Sequence, residues 1–442
     1  MQIIADLHIH SKYSRAVSQK MDLHGIGMWA SLKGIGLVST GDWTHPIWFR
    51  EISNHLYQTS EGIYELKKPL PEQKHKVRFM LTTEISSIYS QGGTTRRVHN
   101  VVFSPSIQVA EKVNKEFIRR GANLMADGRP ITGISSLNLL EMLLAIDNQI
   151  MLIPAHIWTP WFSLFGSKSG FNSVEECFGV EGAKHIYGIE TGLSSDPIMN
   201  WQIKELETRS ILSFSDAHSG PKLAREATVF ISTNNQSITD YSYSDITDAI
   251  KQRPESKLKI GYTIEFFPEE GKYHWTGHRA CNVKYSPLEE AEKGTVCPVC
   301  GKPLTVGVES RVKDLSNRTL SSSDLLFAQN KSGLTFVDDK EKRRKPFVSI
   351  IPLLEIMAEL EGGAGVKAER AYHRALGELG TEFDILLKIP FEAIEKFGGK
   401  RLRQAIEIIR SRKAHVDPGY DGVFGTVKIF KDEENKKQTT LF

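Results

Sequence analysis

The sequence contains no apolar run long enough to cross a lipid bilayer. Such a crossing takes roughly 18 or more consecutive apolar residues. The first residues also lack the basic segment followed by an apolar one that marks a secretory signal, and they have the pattern of a short strand with histidines and an acid. We therefore expect a cytoplasmic protein with no membrane partner.

A strong net charge is missing as well. The 442 residues include 56 lysines and arginines against 53 acids, so the formal net charge is only +3. A chain of this composition does not coat nucleic acid by charge alone, and any nucleic-acid site must be a local basic surface. The length allows two or three domains.

Cysteine is scarce, with four residues, which excludes a disulfide framework. Cys177 stands apart and is expected to be an unpaired thiol. The other three are clustered: Cys281, Cys297 and Cys300. In the turn C-P-V-C-G-K the glycine lets backbone amides face two thiolates, so the pattern predicts one structural zinc site. Spacing favours His278 over His274 as its fourth ligand.

Residues 1–235 alternate short apolar runs with helical patterns, such as 134–145 and 196–208. Compact apolar runs are typical of strands that are covered on both faces. Their alternation with helices favours an α/β fold with a parallel barrel or an open sheet. The predicted strands are 2–5, 36–40, 78–82, 100–103, 149–154, 186–190 and 209–214.

Histidines and acids collect at the ends of these strands. His8 and His10 follow the first strand, where alternation places both imidazoles on one face. Alone, this pair is equally compatible with two exposed or hydrogen-bonded histidines. The pattern recurs, however, at later strand ends, where such folds place their chemistry: Asp42, His45, Glu84, His99, His156, Glu190, Asp216 and His218.

Taken together, the motifs of this region resemble those of the PHP (polymerase and histidinol phosphatase) metal-dependent phosphoesterases. They are H-x-H, T-G-D-x-x-H, a lone glutamate, R-V-H-N, P-A-H and S-D-A-H. The resemblance covers residues 1–235 and implies a distorted (βα)7 barrel with two or three divalent ions, Zn²⁺, Mn²⁺ or Mg²⁺. Mixed imidazole and carboxylate ligands suit Zn²⁺, Mn²⁺ or Fe better than Mg²⁺. Paired cations of this kind hydrolyse phosphoesters.

The resemblance also implies which residues bind these ions. The implied ligands are His8, His10, Glu84 and Asp216 for one ion, Glu84, His99 and His156 for a second, and His218 with Asp42 or His45 for a third. Glu84, Asp216 and His218 are the expected catalytic residues. For His45 and Glu190 a supporting role is as compatible with the sequence as ligation. Residues 11–15 lack the further histidine or aspartate of many PHP members, a departure that bears on the third ion.

An aromatic stretch follows the candidate ligand His156. Trp158, Trp161 and Phe162 are succeeded by a Gly/Ser loop that carries Lys168. Such residues can stack a base and contact a phosphate. They can equally well cover the barrel, and both interpretations stay open.

Residues beyond 235 divide into three predicted parts. Residues 236–312 carry the zinc pattern, 313–425 combine a polar linker with a helical, DNA-contacting module over 348–413, and 426–442 form a tail. The basic run 340–345 is typical of a solvated linker and can also touch a nucleic-acid backbone. The tail ends in Gln438, Leu441 and Phe442, and this Q-x-x-L-F sequence resembles the bacterial sliding-clamp-binding motif.

This order of modules resembles the endonuclease Q family over nearly the whole chain, through P-A-H, W-T-P-W-F, C-P-V-C-G-K and P-G-Y-D-G. The resemblance implies an enzyme that nicks DNA 5′ to deaminated bases (uracil, hypoxanthine, xanthine) and abasic sites, leaving 3′-hydroxyl and 5′-phosphate ends. Its expected partners are damaged DNA and the sliding clamp, and we expect a nucleoid-associated monomer. Two alternatives remain: a PHP phosphatase for a small phosphomonoester, and a DNA-binding scaffold with an inactive site.

Overall fold

The protein is described here by a computed structural model, which covers residues 2–234 and 240–431. Within these residues the strands are β1 (Gln2–Asp6), β2 (Leu37–Ser39), β3 (Leu56–Ser60), β4 (Ile63–Leu66), β5 (Arg78–Gln91), β6 (Thr94–Ser104), β7 (Ile131–Thr132), β8 (Met151–Pro154), β9 (Gly188–Glu190), β10 (Ser210–Leu212), β11 (Ala227–Ser232), β12 (Leu258–Glu265), β13 (Thr276–His278), β14 (Val283–Tyr285), β15 (Leu325–Gln329), β16 (Thr335–Asp339), β17 (Phe347–Ser349), β18 (His415–Asp417) and β19 (Thr426–Lys428).

The helices are α1 (Leu23–Lys33), α2 (Pro46–His55), α3 (Ile107–Arg119), α4 (Ser136–Ile146), α5 (Val174–Ala183), α6 (Pro197–Trp201), α7 (Tyr243–Ile250), α8 (Pro287–Lys293), α9 (Val308–Leu315), α10 (Leu353–Leu360), α11 (Val366–Leu379), α12 (Glu382–Leu387) and α13 (Phe391–Arg410). The helix predicted over 196–208 is much shorter, because a short 3₁₀ turn at Lys204–Leu206 follows α6. No helix in the described part of the chain has the length and apolarity to cross a membrane.

A large mixed sheet forms the centre of the molecule and confirms the α/β class. Its strands run in the order β15-β16-β17-β12-β11-β1-β2-β5-β4-β3, and β6, β7 and β8 join it through β5 and β6. The pairs β1/β2 and β2/β5 are parallel, as expected. Several others, including β1/β11 and β5/β6, are antiparallel. The sheet is therefore mixed rather than purely parallel.

The central sheet extends across the predicted boundary at residue 235. Strand β12 pairs antiparallel with β11 and parallel with β17. Strands β15 and β16 then continue the sheet within the segment that we expected to be a polar linker. Strands on both sides of the predicted boundary thus belong to one sheet.

Two smaller parts pack on this centre. A two-stranded hairpin, β13/β14, carries the cysteine cluster. Helices α10 to α13 form the predicted helical module, and α12 reaches α1 through a buried ion pair of Lys33 Nζ with Glu382 Oε1 at 3.0 Å. The Q-x-x-L-F residues Gln438, Leu441 and Phe442 lie outside the described residues.

Candidate active site

Side chains from five separate segments meet at one edge of the central sheet. His8 and His10 follow β1, and the backbone there pairs with the segment that carries Asp216, since His10 N donates to the Ala217 carbonyl at 3.0 Å. Glu84 lies in β5. Of the remaining histidines, His99 lies in β6, His156 lies two residues after the end of β8, and His218 lies in the loop after β10.

These side chains form three overlapping groups. Within each group the ligand atoms lie within 4.8 Å of one another. The groups are His8/His10/Glu84, Glu84/His99/His156 and His10/Asp216/His218. Glu84 Oε1 is 2.6 Å from His99 Nδ1 and 3.1 Å from His156 Nε2, and Glu84 Oε2 is 3.4 Å from His10 Nε2. Glu84 therefore lies at the centre of the cluster.

The donor atoms fit divalent cations. Among the described residues, His8 Nε2, His10 Nε2, His99 Nδ1 and Asp216 Oδ1 are buried and make no hydrogen bond, although each faces other members of the cluster. Buried polar atoms without partners are uncommon in folded proteins. Imidazole nitrogens and carboxylate oxygens are ligands of Zn²⁺ and related ions. The residues present thus fit a cluster of bound metal ions.

Two further carboxylates orient the H-x-H histidines. Glu190 accepts from His8 Nδ1 at 2.9 Å and from the His156 amide at 2.8 Å. Asp42 accepts from His10 Nδ1 at 3.0 Å and from the backbone amide of Ser11 at 2.6 Å. A carboxylate on one ring nitrogen fixes the tautomer and turns the other nitrogen toward a metal.

Two of the expected ligands of a third ion, Asp42 and His45, lie outside the three groups. Asp42 accepts hydrogen bonds from His10 and Ser11. His45 stacks on Tyr13, with ring centroids 4.5 Å apart, and is likewise outside the groups. The partners of His218 are instead His10 and Asp216. Residue type and strand-end position could not distinguish ligands from their supports.

The electrostatics of the cluster keep its carboxyl groups ionised. Burial alone raises the pKa of Glu84, but the neighbouring His99 ring, the charge of Arg129 and the contacts with His10 and His156 hold that pKa well below its usual range. Burial likewise opposes ionisation of Asp216, yet His10 and His8 lower its pKa. For His99 burial dominates and lowers the pKa to about 4, so its ring is neutral and able to act as a ligand.

Three residues of the site have left-handed backbone conformations: Asp42 (φ 45°), His156 (φ 27°) and Asp216 (φ 46°). Residues other than glycine rarely adopt such angles, and they persist where surrounding contacts enforce them. Gly192 shows how tight the packing is, because a Cβ there would lie 2.4 Å from the Cβ of His156. The site is therefore held rigidly in a strained geometry.

The cluster opens into a cavity of about 730 Å³. Six aromatic side chains line it besides the histidines: Trp161, Phe162, Phe214, Phe266, Tyr273 and Phe424. Six cationic side chains line it as well: Arg15, Arg97, Arg129, Lys222, Arg225 and Lys272. The cavity thus joins candidate metal ligands to aromatic and positively charged surface.

Comparisons with known proteins agree with this geometry. No family model matches the chain. PfuEndoQ, a lesion-specific endonuclease from Pyrococcus furiosus, superposes with a TM-score of 0.78 and 28% identity, covering 99% of both chains. Endonuclease Q in complex with a 27-mer duplex that has an abasic lesion at the active site gives a TM-score of 0.80 and 29% identity over 98% of both chains.

This chain has the fold of endonuclease Q. The likeness predicted from the motifs is thereby confirmed over the whole length. Two sequence relatives, both named as uncharacterized proteins, also match. YqxK of Bacillus subtilis is 27% identical over 440 residues, covering 97% of this chain and 99% of the relative. MJ0043 of Methanocaldococcus jannaschii is 30% identical over 298 residues, covering 64% of this chain but only 33% of the relative, so the matched region spans a third of that protein's length.

Within the endonuclease Q fold the aromatic stretch has divided roles. Trp158 is buried and donates from Nε1 to Asn200 Oδ1 at 2.8 Å, so it packs in the core, as the covering interpretation has it. Trp161 and Phe162 line the cavity. Lys168 Nζ donates to the Leu304 carbonyl at 3.3 Å, and its ammonium thus contacts the cysteine-bearing part.

The predicted zinc ligands also come together. His278, Cys281, Cys297 and Cys300 form a fourth group of ligand atoms within 4.8 Å of one another. His274 is not part of it and lies instead 3.6 Å from Glu309 Oε2. Gly301 has the left-handed conformation (φ 73°) that the turn after Cys300 requires. The arrangement fits a tetrahedral zinc site with His278 as the fourth ligand.

Sequence reasoning missed several residues of the cavity, among them Arg129, Tyr273 and Phe424. Arg129 Nη1 lies 2.9 Å from Glu84 Oε2. None of the three stands in a motif or at a predicted strand end, so the sequence carried no signal for them. Their place depends on long-range packing of loops on the sheet.

Proposed function

We propose that this chain is a metal-dependent endodeoxyribonuclease that hydrolyses a DNA phosphodiester next to a damaged nucleotide. One observation carries the proposal: the His/Glu/Asp cluster opens into a cavity that is lined by aromatic rings and cationic side chains. The likeness to endonuclease Q bound to an abasic duplex supports the same class of substrate. We further propose that residues 1–235 are a PHP barrel whose sheet is extended by later strands.

The proposed roles follow from the contacts. His8, His10, Glu84 and Asp216 would hold one cation, Glu84, His99 and His156 would hold a second, and His10, Asp216 and His218 would hold a third. Bound divalent ions supply an activated water and neutralise phosphate charge. Glu190 and Asp42 keep His8 and His10 aligned through their Nδ1 atoms.

The proposed reaction forms a bond from the water oxygen to phosphorus and breaks the bond from phosphorus to O3′. The attacking water gives up one proton. The electron pair of the broken bond goes to O3′, which takes up one proton and leaves as a 3′-hydroxyl, while the phosphate stays on the 5′ end. His218, which would hold no ion when two ions are bound, is the residue we assign to this proton transfer. Its Nδ1 donates to the carbonyl of Asp216 at 2.8 Å, and the ring lies at the cavity wall.

Selectivity for damage is proposed to come from extrusion of the nucleotide into the cavity. Deaminated bases pair weakly and an abasic site has no base to unpair, so extrusion costs less for them than for an intact pair. Trp161 and Phe162 offer faces for stacking at the cavity wall. We propose uracil, hypoxanthine, xanthine and abasic sites as substrates, with incision on their 5′ side.

Incision of a labelled duplex with one deoxyuridine, deoxyinosine or abasic site, in Mn²⁺ or Mg²⁺, tests this function on a denaturing gel. Cutting just 5′ of the lesion is expected for the wild-type protein and for Glu141→Ala, which changes an exposed glutamate of α4. Glu84→Ala is expected to lose the activity. Release of phosphate from small phosphomonoesters without incision would refute the proposal in favour of a metabolite phosphatase. Metal uptake without any hydrolysis would indicate a scaffold.

We also propose that the tail ending in Gln438, Leu441 and Phe442 binds the sliding clamp. This proposal rests on the motif alone, and deletion of residues 438–442 is expected to abolish clamp binding in a pull-down. Incision of a short duplex should be unchanged in the same variant. Unaltered clamp affinity would contradict the assignment.

A further inference from the structure

Arg129 contacts the central carboxylate of the site from a loop outside every motif. Its Nη1 donates to Glu84 Oε2 at 2.9 Å, opposite the edge where Glu84 Oε1 meets His99 and His156. The side chain is 28% exposed, and the residue lines the cavity. Arg129 therefore reaches both the cluster and the space that a substrate would occupy.

The loop that carries Arg129 is fixed at several points. The Gly128 amide donates to the Tyr13 carbonyl at 3.0 Å, and the Pro130 carbonyl accepts from the Ser86 amide of β5 at 3.0 Å. A Cβ at Gly128 would lie 2.5 Å from Asp42 Oδ2, so the backbone passes directly beside the carboxylate that orients His10. Asp127 accepts from the Arg129 amide at 3.1 Å. These contacts fix the loop backbone so that the guanidinium of Arg129 lies against Glu84.

The bonding capacity of Arg129 exceeds what Glu84 uses. A guanidinium presents five N–H donors in a planar fork, and the bond to Glu84 is the one that its side chain makes among the described residues. Arginine is the side chain best suited to bind phosphate oxygens through such a fork. The remaining donors lie at the wall of the cavity where the phosphodiester has to meet the metal ligands.

We propose that Arg129 is a substrate-contacting residue, binding a non-bridging oxygen of the phosphate to be cut through the donors that Glu84 leaves unused. The inference rests on the proposed function. Arg129 then has one partner in the free protein, the Glu84 carboxylate, and two in the complex, Glu84 and a phosphate oxygen. Negative charge increases on the phosphate oxygens during hydrolysis, so a fixed guanidinium stabilises the transition state more than the ground state.

The test compares the wild-type protein with Arg129→Gln, Arg129→Lys and Arg129→Ala. Arg119→Gln is the matched control, because Arg119 is exposed on α3 and pairs with Glu116. The first measurement is the affinity of the protein as purified, without added Mg²⁺ or Mn²⁺, for a lesion-bearing duplex at several salt concentrations. Loss of one phosphate contact reduces the magnitude of the negative slope of log K against log salt by about 0.9. This decrease is expected for Arg129→Gln and not for Arg129→Lys or the control.

The second measurement is turnover with the metal content of each variant determined in parallel. Arg129→Gln and Arg129→Lys are both expected to keep the wild-type metal content. The kcat should fall about 10²–10³-fold in Arg129→Gln and at least tenfold in Arg129→Lys. Added guanidinium ion should restore Arg129→Ala severalfold. An unchanged salt slope in Arg129→Gln, or metal lost in step with activity, would overturn the inference in favour of a purely structural counter-charge for Glu84.

Failure of this inference and failure of the proposed function have different signatures. If the wild-type protein cuts lesion DNA and Arg129→Gln cuts equally well, the inference is wrong and the function stands. If the wild-type protein does not cut, the function is wrong, and the salt slope still decides whether Arg129 binds phosphate. If Arg129→Gln does not fold, Arg129→Lys decides through its kcat, since wild-type turnover there would exclude a contact specific to the guanidinium.

Discussion

Replacing Lys33 by methionine is expected to destabilise the protein by about 3–5 kcal/mol. Lys33, in the last turn of α1, and Glu382, at the start of α12, are each 2% exposed and lie 3.0 Å apart. Glu382 also accepts from Tyr372 Oη at 2.7 Å and from the Leu353 amide at 3.1 Å. Methionine leaves the carboxylate buried with these two neutral donors, and removal of one partner from a buried pair costs this much.

The size of the protein converts this loss into a measurable shift. Unfolding entropy is about 2.1 cal/mol/K per residue, which over 442 residues amounts to about 0.9 kcal/mol/K. Lys33→Met should therefore lower the Tm by about 3–5 °C in calorimetry. Lys115→Met is the control, because Lys115 is exposed on α3 and pairs with Glu111 across the surface. Such a pair is worth less than about 1 kcal/mol.

A double variant decides whether the ion pair is responsible. Glu382→Gln removes the charge that Lys33→Met leaves unpaired, so the double variant should be more stable than the sum of the two single losses predicts, by about 1–3 kcal/mol. Strict additivity would refute the reasoning. So would a loss below about 1 kcal/mol in Lys33→Met, since it would mean that water reaches the junction between α1 and α12.

Three further predictions address other parts of the chain. Cys297→Ser, or a chelator, should release one equivalent of zinc in a metal assay and lower the Tm, whereas Cys177→Ser, which changes a buried thiol outside the zinc group, should leave the zinc bound. Burial raises the pKa of Glu265 to about 8, whereas the same group in the unfolded chain loses its proton near pH 4.5. The free energy of unfolding of the wild-type protein, measured in urea, should therefore fall as the pH rises from about 4.5 to about 8. Glu265→Gln should remove this pH dependence. Trp161→Ala should weaken binding of a lesion duplex by about 1–3 kcal/mol with little change in Tm, while Trp158→Ala should lower the Tm and leave the binding by folded protein unchanged.

Much of the cluster could be predicted from the sequence because ligand chemistry and strand ends leave a local signal. His8, His10, Glu84 and Asp216 all follow or lie in apolar strand patterns, and the structure brings them together. Asp42 has the same local signal, yet it contacts His10 and Ser11 and lies outside the three groups. Whether a carboxylate faces the metal site or the back of a histidine depends on side-chain direction, which the fold sets and the residue order does not show.

The extent of the sheet was harder to predict for a related reason. Residues 234–244 are rich in Asn, Ser, Thr and Tyr, a composition typical of a domain end, and 313–345 is polar enough to be a linker. Strands β12, β15, β16 and β17 nevertheless continue the sheet, because backbone hydrogen bonds to β11 and between neighbours need no particular side chains. Edge strands such as β15 remain largely exposed, so they lack the apolar run that reveals a buried strand.

The geometry of the site explains why its residues should act as one unit. Glu84 is shared by two of the three groups, and His10 is shared by two. Glu190 links the ring of His8 to the backbone of His156, so a displacement of one ligand is passed to another. Losses from single substitutions within such a unit do not add. Strain at His156 and Asp216 is maintained by the same contacts, which makes a partly assembled cluster unfavourable and the complete one rigid.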